Sequence, residues 1–139
     1  MKEFIANIFE LWGGCYFADF SKYMFKANLY QEVAIWLVLI PLIVFFIYYK
    51  PLDHIKLAKP SIWFAILIAV SLIVSLISFN ISSSGIEDYL QAHKITKTSI
   101  TPTDYFLFSC IVFVYTAILS FIYSMVLKLG STKSRCIPF

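Results

Sequence analysis

Apolar residues run uninterrupted by charge in three stretches of the chain. The first is Val33 to Tyr49, VAIWLVLIPLIVFFIYY, bracketed by Glu32 and Lys50. The second is Ile62 to Phe79, and the third is Tyr105 to Leu127, ending at Lys128. A bilayer core is crossed by about 17–25 apolar helical residues, and each run fits that length. The runs are apolar on every face, unlike the one-sided stripe of a soluble helix. Three transmembrane helices are therefore predicted over residues 33–49, 62–79 and 105–127. Proline and cap residues punctuate them. Pro51 stops the first, and Pro60 stands where a first helical turn accepts proline. Thr101-Pro102-Thr103-Asp104 supplies a cap, an N1 proline and an N3 acid before the third, and Gly130 is placed to end it. Pro41 lies inside the first run. It removes the hydrogen bond to the Leu37 carbonyl and predicts a kink, serving either packing shape or a hinge.

The N-terminal thirty residues read differently. Phe4, Ile5, Ile8, Phe9, Leu11 and Trp12 fall on one face at helical spacing, with Glu3, Asn7 and Glu10 opposite. That is an amphipathic helix too short to span, expected to lie in the membrane interface. Gly13-Gly14 breaks it, and residues 17–29 form a second segment resting on headgroups or packing over the spans. Between the second and third spans, residues 80–104 are expected to be an extramembrane loop. Ser84-x-x-Glu87 there is a capping-box pattern opening a short helix. The organisation is thus an interfacial region over 1–30, a three-helix membrane domain over 31–129 and a basic tail over 130–139. The fold class is an all-α integral membrane protein.

Composition agrees with this class. The mean hydropathy is +0.82, with 60% hydrophobic and only 14% charged residues, against roughly 25% charged in a soluble domain. Acids at Glu3 and Glu10 interrupt any apolar leader segment, so insertion is expected to be directed by the spans. The distribution of Lys and Arg sets orientation. Lys50, Lys56, Lys59, Lys128, Lys133 and Arg135 crowd the short loop and the tail with one acid, Asp53. The remaining basic residues are sparser and mixed with acids. The positive-inside rule then puts the C-terminus in the cytoplasm and the N-terminus outside, in a cell (inner) membrane. Tyr48, Tyr49 and Trp63 would form the inner aromatic belt, with Trp36 and Tyr105 nearer the outer one.

Catalytic chemistry is missing from the pattern. None of the three runs holds Asp, Glu, Lys, Arg or His, the groups that proton relays and ion-coupled transporters place at depth. His54 and His93 fall in loops on opposite sides. Cys15, Cys110 and Cys136 have no ligand spacing, and Cys136-Ile137-Pro138-Phe139 is a poor prenylation box. There is no phosphate loop, zincin helix or dinucleotide fingerprint. The expectation is no enzyme, no cofactor, no metal and no nucleic acid, with the lipid bilayer and other membrane proteins or further copies as partners.

One polar feature remains. At 100° per residue, Ser71, Ser75, Ser78 and Ser82 cluster on one side of the second helix. Ser109, Thr116, Ser120 and Ser124 do the same on the third. Small residues let helices approach closely, and their hydroxyls bond across interfaces for about 0.6 kcal/mol each. The stripes could join the two spans, join copies in a homo-oligomer, or line a pore formed by several copies. The leading expectation is a structural or anchoring subunit of a larger membrane complex. Alternatives are a homo-oligomeric pore and a small membrane immunity or regulatory protein. For the pore, the layout resembles that of small three-span holins in length, outside N-terminus and short basic cytoplasmic tail. The resemblance is one of topology and implies membrane permeabilisation.

Overall fold

A computed structural model describes residues 2–11, 13–50, 60–95 and 99–128. Among these the chain is all-helical: α1 (Lys2–Phe9), α2 (Ala18–Lys26), α3 (Leu29–Tyr49), α4 (Pro60–Ala92) and α5 (Pro102–Leu127). The last three are long and apolar enough to cross a membrane. The expectations for Trp12, for the connection with Pro51 and His54, and for the tail with Gly130 and Cys136 lie outside the described residues.

Helix ends follow local chemistry. α2 stops at Ala27, and Asn28 takes a left-handed conformation with φ +59, which Asn tolerates better than most residues. α3 then starts at Leu29, earlier than the charge-free run begins, because Glu32 sits comfortably in its first turn. Pro41 lies inside α3 and is buried. At the start of α5 the Thr101 backbone N–H donates to the Asp104 carboxylate at 2.8 Å. The Asp104 N–H returns a bond to the Thr101 carbonyl at 3.0 Å.

α4 departs from expectation. It runs unbroken for 33 residues, about 50 Å at 1.5 Å per residue, where a loop with a separate short helix was predicted from residue 80. The serines and asparagine that suggested a loop bond back to their own helix. Asn80 donates to the Leu76 carbonyl, Ser82 to the Ser78 carbonyl and Ser84 to the Asn80 carbonyl, all at 2.7–2.8 Å. Their polar groups are thereby satisfied without ending the helix. The true end is a Schellman turn: the Ile95 N–H bonds the Leu90 carbonyl and the Lys94 N–H bonds the Gln91 carbonyl, around a left-handed Lys94.

Contacts divide the chain into two compact units, Met1–Trp36 with Ser75–Val112, and Leu37–Val74 with Phe113–Phe139. Each long helix contributes one segment to each unit. The first unit gathers Phe9, Phe20, Tyr30 and Phe108, whose ring centroids lie 5.5–5.9 Å apart in the contacts Phe9–Tyr30, Phe9–Phe108, Phe20–Phe108 and Tyr30–Phe108. Met24, Val33, Ile86 and Val112 are buried with them. Here α1 is fastened to α3: the Tyr30 hydroxyl donates to Glu10 Oε1 at 2.8 Å. α2 is tied toward α5 by the Ser99 hydroxyl, which donates to the Asp19 carboxylate and holds its pKa below the usual 3.8.

The apolar side of α1 is only partly turned into the protein. Phe9 is buried and Ile5 and Ile8 are half-buried, while Phe4 is 61% exposed. The inward side is set by Ala6 and Phe9, and Phe4 stands roughly opposite on the helical wheel. The described residues of that apolar face are therefore divided between core and surface.

The second unit packs around Phe45, Tyr48, Tyr49, Trp63 and Leu67, with Ala117, Tyr123 and Leu127 of α5 against them. Ile43, Phe46, Phe64, Leu72, Ile118 and Val126 face outward, as lipid contact requires. Tyr48, Tyr49 and Trp63 are turned into the protein instead of forming the aromatic belt expected at their end of the spans. The polar tips of Tyr49 and Trp63 have a partner inside, as described below.

Gly85 marks a close helix approach in the first unit. A Cβ built there would stand 2.5 Å from Leu29 Cδ2 and 3.2 Å from its Cγ, and Leu29 is itself buried. Gly85→Leu should therefore lower stability by about 1–3 kcal/mol through overpacking. Thermal unfolding of the detergent-solubilised chain measures it; an unchanged midpoint would mean that α3 and α4 are not seated together at this point.

Candidate helix-packing site

The eight hydroxyl positions divide evenly between the two units. In the first, Ser75 on α4 donates to the Ser109 backbone carbonyl on α5 at 2.9 Å. One stripe thus reaches the other through a direct bond. The Ser109 hydroxyl donates to its own helix at the Tyr105 carbonyl, 2.9 Å away. Ser82 does likewise to Ser78, and Ser78 itself is buried with no hydrogen-bond partner for its hydroxyl.

In the second unit the interaction is denser. Ser124 on α5 receives the Trp63 Nε1–H from α4 at 2.7 Å, and its hydroxyl pairs with the Tyr49 hydroxyl from α3 at 2.6 Å. A serine oxygen has two lone pairs and one proton, so it can serve both neighbours at once. Three helices meet on one atom. Ser71 bonds its own helix at the Leu67 carbonyl, 2.9 Å away. Thr116 is fully buried, as is Ser120, whose hydroxyl has no partner. Seven of the eight side chains are buried within a single copy, and the eighth, Ser75, is the half-buried donor to Ser109.

The sequence pattern assigns Tyr49 and Trp63 to the inner aromatic belt and misses their part in helix packing. A usable signal was present. In an up-down-up arrangement the end of α3, the start of α4 and the end of α5 come to the same level. Tyr and Trp carry a polar tip that seeks a partner when buried, and Ser124 stands within reach of both. The Tyr30–Glu10 bond was likewise missed, being 20 residues apart in sequence.

The interfacial residues Phe4, Ile5, Ile8 and Phe9 belong to α1 as described above, and Pro41 faces the interior of α3's packing side. Among the described residues no three His, Cys, Asp or Glu side chains come together. Cys15 is half-buried and Cys110 exposed. The arrangement holds helices together. No known protein family, curated protein or solved structure matches the chain. The fold itself defines the class: an all-α membrane-embedded protein with three candidate spans.

Two serines one helical turn apart provide a sharp test. Ser124→Ala removes the acceptor of the Trp63 N–H and one partner of the Tyr49 hydroxyl, and should cost about 1–2 kcal/mol. Ser120→Ala removes a hydroxyl with no partner and should be neutral or stabilising by up to about 1 kcal/mol. Unfolding titrations in mixed micelles measure both. Equal losses from the two substitutions would contradict this reading of α5.

Proposed function

We propose that the chain is a non-catalytic structural or anchoring subunit of a larger membrane complex, with a second membrane protein or further copies of itself as partner. What supports this reading is the use made of the polar groups in the spans. Seven of eight stripe hydroxyls are buried in one copy, which suits helix packing. The runs 33–49, 62–79 and 105–127 carry no Asp, Glu, Lys, Arg or His, the groups that proton relays and ion-coupled transport place at depth.

The features left facing outward point the same way. α1 and α2 are fastened to the first unit through Glu10–Tyr30 and Asp19–Ser99. They nonetheless leave Phe4, Leu11, Tyr16 and Phe25 exposed. A small helical platform held beside three spans suits a protein that positions a neighbour at the membrane surface. The lysine-rich short connection and tail favour the cytoplasm, which puts this platform on the outer side.

The test is the behaviour of the full chain extracted from its host membrane in mild detergent, followed by reconstitution. The expected outcome is co-migration with a membrane partner or as a defined oligomer, and liposomes that retain a trapped dye. Purification as a solitary monomer would contradict the proposal. Dye release would replace it with pore formation.

A further inference from the structure

α1 and α2 flank an open pocket of about 260 Å³ whose charges are of both signs. Glu3 and Glu10 contribute carboxylates, and Lys22 and Lys26 contribute ammonium groups one helical turn apart on α2. Among the described residues no ion pair joins the two sets, so the charges lie around a shared space without neutralising each other. Asn7 adds an amide to the lining, and Phe25, 39% exposed, gives the rim an apolar wall.

Its place in the chain fixes its level. Lys26 ends α2 only three residues before α3 begins at Leu29. Glu10 is held to α3 by the Tyr30 hydroxyl, in the first turn of that candidate span. The pocket is therefore attached to the point where a span starts, the depth at which lipid headgroups lie. A ligand bearing only a phosphate would meet two carboxylates, and one bearing only an amine would meet two ammonium groups. The geometry points to a zwitterionic lipid headgroup, a phosphodiester with a primary ammonium, as the occupant. The phosphate pairs with Lys22 and Lys26. The ammonium, with three N–H donors, bonds to Glu3, the Asn7 carbonyl and the Glu10 oxygen left open by Tyr30. Phe25 lies along the start of the acyl chains.

Native mass spectrometry of the full chain in mild detergent tests this, with equimolar phosphatidylethanolamine, phosphatidylglycerol and phosphatidylcholine added. Phosphatidylethanolamine adducts are expected to exceed the other two by roughly tenfold. Glu3→Gln and Lys26→Gln, both at exposed positions, should each remove most of that preference while the helical circular dichroism stays unchanged. Glycerophosphoethanolamine, the headgroup without acyl chains, should compete in the wild-type chain. Equal retention of all three lipids overturns the proposal. So does phosphatidylglycerol binding as well as phosphatidylethanolamine, which would mark a phosphate-only site. Variants that bind like the wild type, or a soluble headgroup that binds where the lipid does not, overturn it too.

Discussion

Inside a hydrocarbon solvent a buried indole N–H or phenol O–H has no water to fall back on, and leaving it unpaired costs about 1 kcal/mol or more. Ser124 answers that constraint for two residues at once, with Trp63 Nε1 at 2.7 Å and the Tyr49 hydroxyl at 2.6 Å. Because lipid tails are as apolar as leucine, simple apolar burial gives little preference for helix contact over lipid contact. A hydrogen bond that only the correct neighbours can complete does give one. The Tyr49–Ser124–Trp63 node draws one segment each of α3, α4 and α5 onto a single oxygen, and Phe45, Tyr48 and Leu67 pack around it.

The first unit solves the same problem with different parts. Ser75 to the Ser109 carbonyl joins α4 to α5, and Gly85 lets α4 come close to Leu29. The aromatic group of Phe9, Phe20, Tyr30 and Phe108 then draws α1 and α2 in. Its polar members are again paired, Tyr30 with Glu10. Small residues permit close contact, aromatic residues fill the space beside them, and each buried tip finds an acceptor. The exceptions are Ser78 and Ser120, two hydroxyls whose contribution is their small size.

How much of this was legible depends on the range of the signal. The three spans were written in charge-free length, the α4 start in Pro60 and the α5 start in the Thr101–Asp104 cap, all local features. The stripes were legible because helical geometry places Ser71, Ser75, Ser78 and Ser82 on one side whatever they meet. Their partners were not, because periodicity gives a direction and no neighbour. Tyr49 and Trp63 looked like interface residues, since amphipathic aromatics at span ends fit either surface or core equally well by composition. The extension of α4 through Gly85 was hidden for a related reason. Serine and asparagine favour loops only when their side chains bond non-helical backbone, and here they bond carbonyls within the helix. Phe4 and Phe9 share an apolar face in sequence, and contacts far along the chain, Phe9 with Tyr30 and Phe108 and Glu10 with Tyr30, accompany the turn of Phe9 inward.

The central claim is that hydroxyls in the spans act between helices of one chain. A double-mutant cycle on Trp63→Phe and Ser124→Ala, read by unfolding titration of the monomer in micelles, measures it most directly. The account predicts a coupling of about 1 kcal/mol, within the range that hydrogen bonds between membrane helices reach. Additivity within about 0.3 kcal/mol would contradict it.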